Sequence, residues 1–208
     1  MSSLTYDSVF DSQKHYRVLL NSTARPGTIG LLDNVCPDTP PSLSHAAALV
    51  TLALFSSDVS FHSQLGDMAA EFVQRQTQAR AVSAPEAEFL LLNGDTSAAI
   101  EAIKTAKTGS LEFPETGATV ILQVASVSPA PFRNCLKLIL TGPGIETTAI
   151  VYVAGMSSTL LELIESRNRE FPLGIDAILV CDSLSTGPCV LSLPRTTKVH
   201  WEPVSWDM

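Results

Sequence analysis

Charge is scarce in this sequence, and the charge that is present is mostly acidic. Only 16% of the 208 residues are charged, and the formal net charge is −8. Broad nucleic-acid binding needs a basic surface that neutralises phosphates, so the composition argues against it and leaves room only for a local cationic pocket. Because 45% of the residues are hydrophobic, the chain can bury a large core, and it suits a subunit that hides surface in a partner.

Long apolar runs, sorting signals and repeats are also missing. No run approaches the roughly 18 uninterrupted apolar residues that a membrane-spanning helix requires. The N-terminal stretch MSSLTYDSVFDSQKHYRVLL lacks the basic segment followed by an apolar segment that marks a secretory signal. We therefore expect a cytoplasmic protein without membrane contact. The absence of a low-complexity linker predicts a single α/β domain over residues 1–208.

The few cysteines and histidines do not have the spacing of a metal or disulfide site. They are Cys36, Cys135, Cys181 and Cys189, with His15, His45, His62 and His200. No CxxC pair or HExxH pattern occurs, so no metal site is predicted, and the histidines are interpreted as surface or capping residues. The cysteine pair around the Gly-Pro turn, Cys181 and Cys189, is interpreted as buried free thiols. No GxSxG elbow marks a nucleophilic serine. The sequence does not exclude a Cys–His pair that the fold would bring together.

Apolar periodicity predicts helices and strands in alternation, the pattern of a layered α/β domain. Predicted helices cover residues 7–23, a segment that begins at Ser42 or Ser44, and residues 64–78, 97–106 and 157–170. Predicted strands cover residues 28–33, 58–63, 86–95, 117–128, 135–145, 147–153, 174–182 and 189–197. In the first helix, the apolar stripe that we expect to face the core consists of Val9, Tyr16, Leu19, Leu20 and Thr23.

The stretch TGPGIETT, residues 141–148, has the glycines of a phosphate-binding loop but not its other requirements. Such a loop directs several backbone N–H groups at one point, usually at the start of a helix. Pro143 has no N–H to offer, and the following TTAIVYV is typical of a strand. The stretch therefore predicts a turn between two strands.

Three residues are candidates for binding an anion or a partner: Arg25 in ARPG, and Arg195 and Thr196 in LPRTT. An arginine beside hydroxyls can hold a phosphate or carboxylate through bidentate hydrogen bonds. Asp176, however, lies within the apolar strand GIDAILV, where a lone carboxylate is costly. It is either a tuned acid or the partner of an arginine, and we favour an Arg195–Asp176 ion pair that anchors the C-terminal strand.

Several blocks, taken in order, resemble one family. TGATVILQVASVS, LILTGPGI, FPLGIDAILV and LPRTTKV follow an opening segment with Phe10, Arg17, Arg25, Pro26 and Gly27. Together they are similar to PhnH, the H subunit of the bacterial carbon–phosphorus lyase system. The blocks extend from about residue 10 to 200, residues 60–110 match only in pattern, and the departures are NVCPDTPPS, PAPFRN and HWEPVSWDM.

The resemblance implies a three-layer α/β sandwich with a mixed central sheet, similar to the large domain of pyridoxal-phosphate-dependent transferases but without the cofactor. A pyridoxal enzyme needs a Schiff-base lysine. None of the lysines stands in a recognisable context for that role; they are Lys14, Lys104, Lys107, Lys137 and Lys198. We therefore expect no cofactor, no metal and no catalytic residue in this chain.

The resemblance also implies partners. The family forms homodimers and works with subunits G, I and J to form ribose 1-alkylphosphonate 5-triphosphate from a nucleoside triphosphate and an alkylphosphonate. The later radical cleavage needs three cysteines on an iron–sulfur cluster, which this sequence does not offer. Two alternatives stay open: an autonomous nucleotide- or phosphonate-binding enzyme with a site near Arg25 and Arg195, and a pyridoxal-enzyme relative that binds a phosphorylated ligand without turnover.

Overall fold

Two β-sheets organise the computed structural model, which describes residues 6–33, 35, 38–183 and 187–204. The helices are α1 Phe10–Ala24, α2 His45–Leu54, α3 Asp67–Thr77, α4 Ser97–Thr105 and α5 Ser158–Arg167. The strands are β1 Gly30–Leu31, β2 Ser60–Ser63, β3 Arg80–Ala81, β4 Phe89–Asn93, β5 Thr119–Gln123, β6 Ser126–Ser128, β7 Leu136–Thr141, β8 Ala149–Ala154, β9 Asp176–Ser183, β10 Gly187–Leu193 and β11 Lys198–Pro203. The predicted mixed α/β character is confirmed.

The helices begin where side-chain caps are available. The Ser44 hydroxyl accepts a hydrogen bond from the Ala47 N–H at 3.1 Å, so the second of the two predicted starts of α2 is confirmed. Thr96 and Ser157 cap α4 and α5 in the same way. Each cap satisfies a backbone N–H that has no partner within its own helix. Among the described residues, no helix is long and apolar enough to cross a membrane.

The larger sheet is mixed and separates two apolar cores. Its strand order is β1-β10-β9-β5-β4-β2-β3; the strands from β9 to β3 are parallel, while β10 and β1 run antiparallel. Successive side chains of a strand point to opposite faces. In β5, Leu122 therefore joins the core shared with α4, α5 and the second sheet, whereas Ile121 joins the core under α1, α2 and α3.

The second sheet was not predicted. It has the antiparallel order β11-β7-β8-β6, and it packs on the α4 and α5 side of the larger sheet. The prediction of one strand over residues 117–128 is wrong, because β5 and β6 belong to different sheets. The chain changes sheets at Val124, which donates to the Val180 carbonyl, and Ala125, which donates to the Ala154 carbonyl. Likewise, β10 ends at Leu193, and β11 was not expected.

Helix α1 faces the core with a different side from the one predicted. Its buried residues are Asp11, His15, Leu19 and Ser22. Of the expected stripe only Leu19 is buried, whereas Val9, Tyr16 and Leu20 are 68%, 49% and 56% exposed. The Ser22 hydroxyl explains the orientation, because it donates to the Thr28 carbonyl at 3.0 Å and accepts from the Ser192 N–H at 2.9 Å.

The interpretation of every histidine as a surface or capping residue is corrected at one position. His15 is 1% exposed, because α1 turns it inward, and its ring stacks on Tyr6 with the centroids 5.7 Å apart. His45 and His200 are exposed, in agreement with the prediction. Cys181 and Cys189 are buried free thiols, as predicted, while Cys36 lies outside the described residues.

Candidate functional site

The carboxyl ends of the parallel strands are the usual ligand site of an α/β sheet. Here the amino end of α2 faces this edge, and such a helix end favours an anion. The anion is the protein's own Asp182, whose two oxygens accept hydrogen bonds from the His45 and Ala46 N–H groups at 2.8 Å each. A carboxylate of the chain therefore occupies the position that a phosphate would take.

Two amide side chains complete this edge. Gln123 ends β5, and its Oε1 accepts from the Ser44 N–H at 2.6 Å. Its Nε2 donates to the Ser42 carbonyl at 3.1 Å and to Asn93 Oδ1 at 2.8 Å, and Asn93 ends β4. The ends of β4 and β5 are thus tied to the start of α2. Sequence reasoning missed these residues, although each polar residue closes an apolar run.

The stretch TGPGIETT forms a turn between β7 and β8, as predicted. The Ile145 N–H donates to the Gly142 carbonyl at 3.2 Å. Gly144 has a φ of +82°, and a Cβ there would overlap the Ala24 carbonyl oxygen at the end of α1. On the other side of the turn, a Cβ at Gly142 would lie 2.8 Å from the Thr196 carbonyl oxygen.

The three predicted site residues lie on opposite sides of this turn. Arg25 follows α1 on the Gly144 side and is exposed. Thr196 lies on the Gly142 side, next to Arg195. Arg195 and Thr196 line one cavity together with Pro143, whereas Arg25 is not among its lining residues.

The predicted ion pair between Arg195 and Asp176 is present. Arg195 Nη2 and Nε lie 2.6 Å and 3.1 Å from Asp176 Oδ2, and the Arg195 backbone N–H donates to Oδ1 at 2.8 Å. Nη1 donates to the carbonyls of Pro114 and Pro172 at 2.8 Å and 3.4 Å. Of the five guanidinium N–H groups, these bonds leave a single one for a ligand.

Gly117 makes room for this arginine. A Cβ at Gly117 would lie 2.9 Å from Arg195 Nη1 and 3.0 Å from Nη2, and it would overlap the Gly174 carbonyl oxygen. The guanidinium therefore packs directly on backbone, with its side chain only 12% exposed. The arrangement joins β9, the segment after β10 and the turn at Pro114.

The cavity beside Arg195 has a volume of about 610 Å³. Apolar walls from α5 and the ends of β10 and β11 meet two exposed cations, Arg169 and Lys198, which form none of the ion pairs found among the described residues. Thr197 is also part of the wall, and its hydroxyl is buried without a hydrogen-bond partner in the described chain. Glu165 also lines the cavity, but the two cations outnumber this carboxylate, so the combination suits a ligand with an apolar part and an anionic group.

Sequence reasoning did not select Arg169, Thr197 or Lys198. Thr197 and Lys198 stand directly after Arg195 and Thr196, so the LPRTTKV block contained the signal. Arg169 comes from the end of α5, and only the fold brings it to the same cavity. Across the described ranges, no group of His, Cys, Asp and Glu side chains could hold a metal ion.

Comparisons with known proteins agree on one family. The sequence model of the family described as "Bacterial phosphonate metabolism protein (PhnH)" matches residues 5–200. The putative C-P lyase subunit protein HtxG of Stutzerimonas stutzeri is 32% identical over 188 residues, covering 90% of this chain and 85% of that protein. The alpha-D-ribose 1-methylphosphonate 5-triphosphate synthase subunit PhnH of Rhizobium meliloti is 28% identical over 199 residues, covering 94% of each chain.

Proposed function

The chain belongs to the PhnH family of bacterial phosphonate metabolism proteins, and we propose that it is an accessory subunit of a cytoplasmic carbon–phosphorus lyase complex with no activity of its own. One relative is named as a putative C-P lyase subunit, and the other as a subunit of alpha-D-ribose 1-methylphosphonate 5-triphosphate synthase. The complex would form ribose 1-alkylphosphonate 5-triphosphate from a nucleoside triphosphate and an alkylphosphonate. Catalysis would lie in the partner subunits G, I and J.

The observation that carries the non-catalytic role is the closed edge of the larger sheet. Asp182 occupies the amino end of α2, and the amides of Gln123 and Asn93 bond to each other and to backbone. A substrate phosphate would have to displace a carboxylate that already has two charge-assisted hydrogen bonds. This arrangement favours a scaffold over a turnover site.

The fold is also the basis for a proposed likeness to pyridoxal-phosphate-dependent transferases. We propose a single domain over residues 1–208 with the architecture of their large domain, in which the mixed sheet between helices is the shared feature. A pyridoxal site would need a free lysine. Three of the five lysines are paired with carboxylates: Lys14 with Asp11 and Asp33, Lys104 with Glu101, and Lys137 with Glu202. Lys198, which forms none of the ion pairs of the described chain, lies at the cavity beside Arg195 rather than at the closed edge of the larger sheet.

A subunit needs surfaces for its partners, and α1 offers one. Its outward side carries Tyr16 and Leu20, and Val9, the N-cap residue, precedes Tyr16 by seven residues, so the three exposed side chains lie on one stripe. Phe10 and Arg17 of the family's opening pattern are also exposed on this helix. Exposed residues that belong to a family pattern point to binding rather than packing. We assign this face to another subunit of the complex.

A second face lies on the opposite side of the larger sheet. The outer surface of the second sheet is uncovered in the described chain, with Ile150 45% exposed and Ile139 and Tyr152 partly exposed beside it. The residue pairs Ile139–Ile150 and Lys137–Tyr152 lie directly opposite each other on β7 and β8. Two separate apolar faces suit a chain that forms a homodimer and also binds other subunits.

The test is to purify the chain alone and after co-expression with subunits G, I and J. We expect the lone chain to be a dimer that releases no base from ATP in the presence of methylphosphonate, and to co-purify with its partners as an active complex. Base release by the lone chain would contradict the accessory role. A stable monomer that ignores the partners would contradict it as well.

The cavity supports a second candidate function, the binding of a small anionic ligand without turnover. Arg169, Lys198 and the unpartnered hydroxyl of Thr197 meet there. Calorimetry with methylphosphonate and with ATP would measure it, with Lys198→Ala compared against Lys104→Ala, a lysine of α4 outside the cavity. Binding that weakens only in Lys198→Ala supports a ligand site, and equal heats for both variants would argue against one.

A further inference from the structure

The two cysteines of the β9–β10 hairpin face each other inside the core. Cys181 and Cys189 are directly paired residues of antiparallel strands. Their Sγ atoms lie 2.9 Å apart, and each residue is 1% exposed. Neither is in a disulfide. The proposed function uses neither of them. Packing alone does not require a thiol at either position, because any small apolar side chain would fill the space.

The backbone already has the geometry that a disulfide requires. Directly opposite residues in an antiparallel pair have Cα atoms about 4.5 or 5.5 Å apart. Disulfides span Cα separations of about 4.4 to 6.8 Å, so either kind of pair fits without movement of the strands. The thiol of Cys135, in contrast, donates to the Phe132 carbonyl at 2.9 Å.

We propose that Cys181 and Cys189 are an oxidation-sensitive dithiol that a peroxide converts to an intramolecular disulfide. The thiolate of Cys181 attacks one peroxide oxygen, the O–O bond breaks, and the departing oxygen leaves as water after protonation. The sulfur of Cys189 then attacks the resulting sulfenic acid, the S–S bond forms, and a second water leaves. Two thiols lose two electrons and two protons, and one peroxide is reduced to two waters.

The surroundings distinguish the two sulfurs. The hydrogen bond with Cys189 lowers the pKa of Cys181 against the opposing effect of burial, and the backbone of Val127 on β6 adds to the lowering. The same hydrogen bond, together with burial, raises the pKa of Cys189. We take Cys181 as the attacking thiolate and Cys189 as the resolving thiol. Burial slows the attack on peroxide, but once the sulfenic acid has formed, the second sulfur at contact distance converts it to a disulfide.

The disulfide would fasten the two strands beside Asp182, the residue that holds the amino end of α2. Oxidation would therefore stabilise the same edge of the sheet whose closure supports the accessory role. Because a disulfide between residues eight apart closes a short loop, the gain in stability is expected to be at the low end for disulfides.

Mass spectrometry of the full chain tests the proposal directly. Trypsin releases residues 170–195 as one peptide that contains both cysteines and neither Cys36 nor Cys135. After treatment with hydrogen peroxide, we expect this peptide to lose the mass of two hydrogens, to resist alkylation, and to regain two alkylatable thiols after dithiothreitol. A peptide that keeps both thiols, or gains oxygen atoms instead, would overturn the proposal.

Two variants separate the pair from the other thiols. In Cys189→Ser, the sulfenic acid on Cys181 has no resolving thiol, so dimedone should label this peptide and the loss of two hydrogens should disappear. In Cys135→Ser, the wild-type result should persist. A disulfide signal that survives in Cys189→Ser, or that depends on Cys135, would assign the oxidation to another pair and refute the proposal.

Discussion

Asp176 holds Arg195 at three points, through the backbone N–H and through two guanidinium nitrogens. The arginine that looked most like an anion ligand in the sequence thus joins β9 to the connection between β10 and β11. Its two contacts with the carbonyls of Pro114 and Pro172 extend the joint to neighbouring loops.

Because Arg195 makes these contacts with Asp176, we predict that Arg195→Ala lowers the free energy of unfolding by about 2 to 3 kcal/mol. The pair is partly solvated, so the loss should fall at or below the lower end of the range of about 3 to 5 kcal/mol for broken buried ion pairs. Asp176→Asn should show a similar loss, measured by urea denaturation. Arg169→Ala is the matched control, since that arginine is exposed and should change stability by less than about 0.5 kcal/mol.

If Arg195→Ala leaves stability unchanged but lowers the activity of the assembled complex, Arg195 has a functional rather than an anchoring role. Base release from ATP by the complex distinguishes these outcomes when Arg195→Ala is measured in parallel with Arg75→Ala, a replacement at an exposed arginine outside the cavity.

The Gly142–Gly144 turn is expected to be intolerant of a side chain. In Gly144→Ala, the positive φ costs about 1 kcal/mol, and the overlap with the Ala24 carbonyl adds at least about 1 kcal/mol more. Gly187→Ala isolates the first effect, because Gly187 has a φ of +80° and no atom within 4 Å of its hypothetical Cβ. Thermal unfolding of both variants checks the difference. Equal losses of stability in the two variants would show that a side chain at Gly144 does not clash with the end of α1.

The burial of His15 predicts a dependence of stability on pH. Burial lowers its pKa below the ordinary 6.5, although the nearby Asp33 and Asp11 oppose the shift. As the pH falls through 6.5, His15 binds a proton in the unfolded chain but not yet in the folded chain. The free energy of unfolding should therefore decrease below about pH 6.5, by up to about 1.4 kcal/mol per pH unit.

Replacing this histidine should flatten the profile. In His15→Gln, the difference in the free energy of unfolding between pH 7.5 and 5.5 should shrink relative to the wild type, measured by urea denaturation at each pH. His200→Gln, the same replacement at an exposed position, is the matched control. A His15→Gln profile that follows the wild type would exclude His15 as the source.

The outward stripe of α1 predicts a variant that folds but does not assemble. Leu20→Asp places a charge on the exposed stripe, where desolvation on contact with a partner is costly. We expect it to retain the wild-type melting temperature within a few degrees and to lose co-purification with the other subunits. Met68→Asp, at a methionine of α3 that is 66% exposed, should assemble normally. Assembly of the Leu20→Asp chain would refute the assignment of this face.

Local chemistry in the sequence determined the elements and several contacts. The capping Ser44 and the Gly-Pro-Gly turn act within a few residues of the chain, and both lie where the sequence predicted them. Apolar periodicity located the helices and most strands, but it was wrong about the buried face of α1 and did not predict β6 and β11 as separate strands. The cost of an unpaired carboxylate in an apolar strand was also sufficient to pair Asp176 with Arg195, although nineteen residues separate them.

Only the tertiary structure decided which faces meet. The outward stripe of α1 and the buried His15 follow from the hydrogen bonds of Ser22 to Thr28 and Ser192, and the latter partner lies 170 residues away. The second sheet likewise depends on pairing between distant strands, which the periodicity of a single strand cannot encode. The closure by Asp182 is of the same kind, because its partners His45 and Ala46 lie 137 and 136 residues away.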